Sequence, residues 1–153
     1  MRVLEPWVAA PLRTFLDESG ASLALLTTTA GQVIAQHGFA RSMDVMAAAA
    51  LGAGIVASTG AIARMTDAGR FRAMVHQGAR QNLLLADFET PRGRWIGLVL
   101  FGTDTTAGVV QLFFDRMVAE LAAAAPPEEA SAPVLAENFE RELNASLRAL
   151  FGR

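Results

Sequence analysis

The chain has 153 residues, 52% of them hydrophobic and 18% charged, with a net charge of −2; the length fits one domain with a modest tail, and the charge gives no general grip on nucleic acid or anionic lipid. It contains no Cys, no Tyr and no Lys, so all 13 cations are arginines. That removes thiol nucleophiles, disulfides, cysteine zinc sites, Schiff bases and the lysine of a phosphate-binding P-loop.

At the N-terminus, Glu5, Pro6, Pro11 and Arg13 interrupt the stretch where a signal peptide needs an apolar core, and the lack of Cys fits a reducing compartment, so a cytoplasmic location is expected. Trp7 to Ser19 carries Val8, Leu12, Phe15 and Leu16 at helical spacing and stops at Gly20. Ser22 to Thr29 and Gln32 to Phe39 read as a hairpin turning at Ala30-Gly31. A long helix follows, capped by Ser42 with Asp44 favourable to its dipole, and runs to about Met65 before Asp67-Ala68-Gly69 breaks it.

From Val45 to Ala63 that helix carries no charge, close to the length a bilayer span needs. Its Ala, Gly, Ser and Thr content supplies too little transfer energy, so a buried helix of a soluble domain is the expectation. Gly52, Gly54 and Gly60 each cost about 1 kcal/mol against Ala in a helix interior, which close helix approach would offset. Ala50, Ala53, Gly54, Ala57 and Ala61 form a small-residue ridge for another helix, and Leu51, Ile55, Ile62 and Met65 form a bulkier face expected to meet the sheet.

Arg70 to Gln77, Gln81 to Phe88 and Arg94 to Phe101 then read as a three-strand meander. On its first strand Phe71, Ala73 and Val75 point one way and Arg70, Arg72, Met74 and His76 the other. A helix capped by Asp104 or Thr105 follows, with Val110, Phe113, Phe114, Met117 and Leu121 on one stripe. The domain is expected to end at residue 125, a Pro-rich linker to cover 126–135, and a C-terminal helix to occupy 136–153. That helix, from about Glu137 to Phe151 with Gly152 as its stop, carries Phe139, Leu143, Leu147 and Leu150 on one stripe. It has Glu137 and Glu140 near its start and Arg148 near its end, in the sense the helix dipole favours. At this length it is marginal alone in water and needs a surface, on its own domain or on a partner; a partner is the reading favoured here.

Helix, two strands, long helix, three strands and helix describe an α/β/α sandwich: a five-stranded antiparallel sheet with the long helix on one face, two helices on the other, and a tethered C-terminal helix. This order resembles the roadblock (dynein light chain) family of the roadblock/longin superfamily. The residues that carry it are Leu23-Ala24-Leu25-Leu26 leading through Gly31 into Val33-Ile34-Ala35-Gln36, the Ala-rich helix, and Arg70-Phe71 opening the third strand. Val75-His76-Gln77-Gly78, Asn82-Leu83-Leu84-Leu85 and the extra helix from Phe139-Glu140-Arg141-Glu142-Leu143 to Arg153 are similar to the bacterial MglB branch.

The resemblance implies a homodimer that acts as a GTPase-activating protein for a small Ras-like polarity GTPase, MglA-like, repositioning the partner's own catalytic residues without an arginine finger. It implies no catalytic residue in the chain itself, and with the composition no cofactor, metal, nucleic acid or membrane insertion is expected. In some members of the branch the C-terminal helix docks on the GTPase and assists exchange. The partner surface is expected at Ala50, Ala53, Gly54, Ala57, Ala61 and Arg64, with Phe139, Leu143, Leu147 and Leu150. The dimer contact is expected at Ala53, Ala57, Phe71, Ala73 and Val75. Arg41, Arg64, Arg72 and Arg80 are candidates for a finger, with a structural or solvated role favoured; His37 and His76 read as satisfied or solvated. The competing readings are a non-catalytic adapter on the same fold and, further off, a small-molecule sensor.

Overall fold

The computed structural model describes residues 1–40, 43–127 and 131–151, with side chains of the last segment from 139 onward. Its elements are β1 (Arg2–Val3), α1 (Ala9–Ser19), preceded by a 3-10 turn Pro6–Val8, β2 (Leu23–Thr28), β3 (Val33–Gly38) and α2 (Val45–Met65). These lead into β4 (Ala73–Gln77), β5 (Asn82–Thr90), β6 (Gly93–Phe101), α3 (Ala107–Ala124) and α4 (Ser131–Phe151). The strands form one antiparallel sheet in the order β1-β3-β2-β6-β5-β4. It has six strands where five are expected from sequence, because Arg2 and Val3 pair with Gln36 and Ala35 along the β3 edge. Two residues are too few to show an alternating pattern in sequence.

Strand alternation divides the core into two layers. Ala24, Leu26, Leu84, Phe88 and Val99 face α1 and α3, meeting Leu12, Phe15, Val110, Phe114 and Leu121. Leu25, Leu85, Ile96 and Leu98 face α2, meeting Ala49 and Val56. On the first side the aromatic rings interlock: Phe114 meets Phe15 and Phe88 edge-on at 5.8 and 5.3 Å, and Trp7 stacks on Trp95 at 5.6 Å. Phe114 reaches the sheet because position 97 is glycine, where a Cβ would stand 2.5 Å from the Phe114 ring.

Several helix boundaries differ from the sequence reading. Asp44 itself caps α2, its carboxylate accepting from the Ala47 N–H at 3.1 Å; Ser42, the expected cap, lies outside the described residues. Thr106, not Asp104 or Thr105, caps α3 by accepting from the Val109 N–H. Both are capable N-caps one or two residues beyond equally capable neighbours, so residue type alone does not choose among them. α4 begins at Ser131, inside the stretch read as linker. Pro133 falls in the first turn, where its missing N–H would have had no helical acceptor. Gly152 lies outside the described residues.

Candidate functional site

α2 is seated on the sheet through two small residues and a valine, not through the bulkier face expected to meet it. Ala49, Gly52 and Val56 are its buried positions, and a Cβ at Gly52 would lie 3.5 and 3.6 Å from the Leu85 and Leu98 methyl groups. The bulkier residues face outward: Leu51 is 69% and Ile62 60% exposed, and Met46, Ile55 and Met65 are exposed too. The reason is the sheet beneath. Leu25, Leu85, Ile96 and Leu98 already fill the layer, so the helix that lies on them can bring little bulk of its own.

Of the expected ridge, Ala50, Gly54 and Ala57 are exposed and Ala53 and Ala61 half-buried. The expectation of a buried helix is therefore corrected: one face of α2 is covered and the rest is open. By length and composition α2 is the one helix among the described residues that could cross a membrane, yet its seat on the sheet makes it a layer of the domain.

Beside the second half of α2 lies a cleft of about 680 Å3, lined by Ala57, Gly60, Arg64, Phe71, Asp87 and Arg94 among others. Arg94 is ion-paired and hydrogen-bonded to Asp87, whose carboxylate is buried. Arg70 pairs with Glu89 at 3.3 Å on the exposed rim, a contact worth little in water. The arginines considered as fingers do not converge. Arg64 ends α2, Arg72 precedes β4 on the α3 side, and Arg80 lies in the β4–β5 turn, all exposed, while Arg41 lies outside the described residues.

β4 is the free edge of the sheet, and its ladder with β5 fixes which groups are free. The Asp87 N–H donates to the Arg72 carbonyl at 2.9 Å, and the Gly78 N–H to the Gln81 carbonyl at 3.1 Å. With Val75 opposite Leu84, the even-numbered residues bond to β5, so the N–H and C=O groups of Ala73, Val75 and Gln77 point away from the sheet. Val75 packs with the α1/α3 layer, whereas Phe71, expected beside it, packs with Met74 on the α2 side. The strand begins only at Ala73, so the alternation assumed from Arg70 onward does not hold before it.

The two histidines sit on different strands, His37 on β3 and His76 on β4. His76 is exposed. His37 departs from the expected satisfied or solvated state, because its Nδ1 is buried without a hydrogen-bond partner. Its pKa is lowered from the ordinary 6.5, first by loss of hydration and then by the N-terminal amine and Arg13, against an opposing pull from Asp17. Among the described residues no three His, Asp or Glu side chains gather where they could hold a metal.

An antiparallel sheet with one long helix on one face and two on the other is the roadblock architecture. The chain belongs to the Roadblock/LC7 family, whose domain model matches residues 11–89. It is similar to Myxococcus xanthus MglB, with 25% identity and a TM-score of 0.70 over 78% of this chain and 95% of that one. The gliding protein MglB of Thermus thermophilus gives 28% identity and a TM-score of 0.70 over 80% and 94%. A Roadblock/LC7 domain from Streptomyces avermitilis shares the fold at 21% identity, with a TM-score of 0.61 over 71% and 89%. Comparison with curated protein sequences returns no match.

Proposed function

We propose that this chain is a cytoplasmic, homodimeric regulator of a small Ras-like GTPase, MglA-like, and acts as a GTPase-activating protein in cell polarity. The observation that carries the reading is the open side of α2: a 21-residue apolar helix covered on one face only, in a chain similar to MglB. Exposed apolar surface of this extent marks an interaction site. The chain contributes no active site in this reading. It holds the partner's switch segments and attacking water in a hydrolysis-ready arrangement, which lowers the barrier by pre-organised electrostatics without an arginine finger.

The partner surface in this reading comprises Ala50, Ala53, Gly54, Ala57, Ala61 and Arg64, extended by the α4 stripe of Phe139, Leu143, Leu147 and Leu150. Two copies join through the β4 edge, with Ala53, Ala57, Phe71, Ala73 and Val75 at or near the contact. The free groups on that edge favour one register. A two-fold axis at Val75 pairs Val75 with its counterpart and Ala73 with Gln77 of the other copy, and satisfies all the outward N–H and C=O groups of the three residues. A centre at Met74 or His76 also sets odd-numbered residues opposite one another, but it leaves Gln77 or Ala73 facing a residue outside β4.

The test is single-turnover GTP hydrolysis by a cognate MglA-like GTPase with and without this protein. Acceleration of tenfold or more, about 1.4 kcal/mol off the barrier, supports the activating role, and Ala57→Arg should abolish it while leaving the protein folded. Binding without acceleration replaces this reading with the adapter; stimulation retained by Ala57→Arg removes the assigned surface.

A further inference from the structure

The outward side of α3 carries an apolar strip that the described residues leave open. Val109 and Leu112 are exposed, Leu112 at 60%, and Arg116 continues the strip with its guanidinium over the Phe113 ring, 5.2 Å from the centroid. α4 carries a second strip: Phe139, Leu143 and Leu147 are 66, 48 and 42% exposed. The two helices are consecutive, of 18 and 21 residues, and six residues, 125–130, separate them. That is a normal connection length for an antiparallel helix pair.

The strips are complementary in that orientation. An antiparallel alignment that sets Ala124 opposite Ser131 sets Leu112 opposite Leu143, Arg116 opposite Phe139 and Gly108, next to Val109, opposite Leu147. It also brings Glu140, on the flank of the α4 stripe, beside Arg116. Leucine meets leucine at the centre of the contact, and Arg116 meets the Phe139 ring and the Glu140 carboxylate beside it.

The pair is not closed within one chain. Ala125 leaves α3 extended, with ψ 125°, and Pro126 and Pro127 follow. Arg92 donates from Nη2 to the Pro126 carbonyl at 3.3 Å. Consecutive prolines favour an extended path and resist immediate reversal. Every α4 side chain from Phe139 to Phe151 is exposed. A connection that resists reversal transfers the same contact to another molecule, by exchange of an identical element between copies.

We propose that the strip on α3 receives α4 of a second copy, and the reverse, so that two chains exchange C-terminal helices about a two-fold axis. This rests on the reading of α4 as an arm that works in trans and names its occupant in the absence of GTPase. The contact is separate from the β4 edge, so a chain using both assembles beyond a dimer, and a GTPase that takes the α4 stripe competes with this assembly.

The experiment is the molar mass of the full-length protein, without GTPase, by light scattering and native mass spectrometry. Leu112→Glu and Leu143→Glu, both at exposed positions, should each halve the mass with the melting temperature unchanged. Arg116→Glu should weaken assembly and Glu140→Arg in the same chain restore it. Val75→Pro, which reports on the β4 edge, should halve the mass independently; its failure removes the edge pairing and leaves the helix exchange standing. Unchanged mass in both leucine variants overturns the proposal. So does unchanged mass with lost hydrogen-exchange protection of α4 in Leu112→Glu, which would place α4 on its own α3.

Discussion

Proline at position 75 separates the edge pairing from the fold beneath it. The Val75 N–H points away from β5, so Val75→Pro removes no bond of the single chain, and an edge strand tolerates proline where the N–H faces outward. In the two-fold pair the two Val75 residues exchange two N–H···O bonds, and the substitution removes both. At about 0.5–1.5 kcal/mol per bond the loss is about 1–3 kcal/mol, roughly a 5- to 150-fold rise in the dimer dissociation constant. The ring, standing where the partner strand would lie, raises this further. Met74→Pro is the contrast: its N–H belongs to the ladder with Leu85, so it should damage the fold itself. Sedimentation equilibrium read beside thermal melting tests both. A Val75→Pro protein that dimerises with unchanged affinity, or that melts as early as Met74→Pro, refutes the register.

Three further outcomes are expected. Gly97→Ala should destabilise the domain by about 1–3 kcal/mol, because the new methyl group meets the Phe114 ring; a denaturant midpoint equal to that of the parent would contradict the packing described. His37 has a pKa held below 6.5 in the folded chain, so between that lowered value and 6.5 the unfolded chain binds more protons. Stability from this group is therefore complete above 6.5 and lost as pH falls through that window. His37→Gln should flatten melting temperature against pH there, and an unchanged slope would assign it to other groups. Gly54→Ala adds a methyl group into open space, so it should stabilise the single chain by up to about 1 kcal/mol while weakening the contact that needs close approach along the ridge. A gain in stability with no loss of dimerisation or of GTPase stimulation would take Gly54 out of the contact surface.

The layers were legible in the sequence because each rests on a strong period. The stripe of Val110, Phe114, Met117 and Leu121 and the β2–β3 hairpin each point to one element and one face, and both lie where expected. α2 was legible as a helix but not in its orientation. With small and bulky residues both apolar, amphipathicity marks no inner side, and the choice was made by Leu25, Leu85, Ile96 and Leu98 on strands that come from distant parts of the chain. β1 was missed because its pairing is long-range and two residues long. The candidate surface inherited this ambiguity. Ala50, Gly54 and Ala57 are outward as read, but Leu51, Ile55 and Ile62 join them on the open side, so the surface is broader and more apolar than the ridge alone.

That breadth bears on how such a protein can act. Ala and Gly along the ridge give a low, smooth contour that admits a close neighbour, and Leu51, Ile55 and Ile62 beside them supply the apolar area whose burial holds it. Charge contributes little here: in α2 the only ionisable side chain is Arg64, in its last turn. Recognition by this face should accordingly vary little with ionic strength, since exposed charge pairs are what salt screens. A partner held this way is oriented by shape, and a catalytic effect on it must come through the conformation it is made to adopt. In the proposed reading the same open face serves a second copy and a GTPase, and the balance between assembly and regulation then follows from their relative concentrations and affinities.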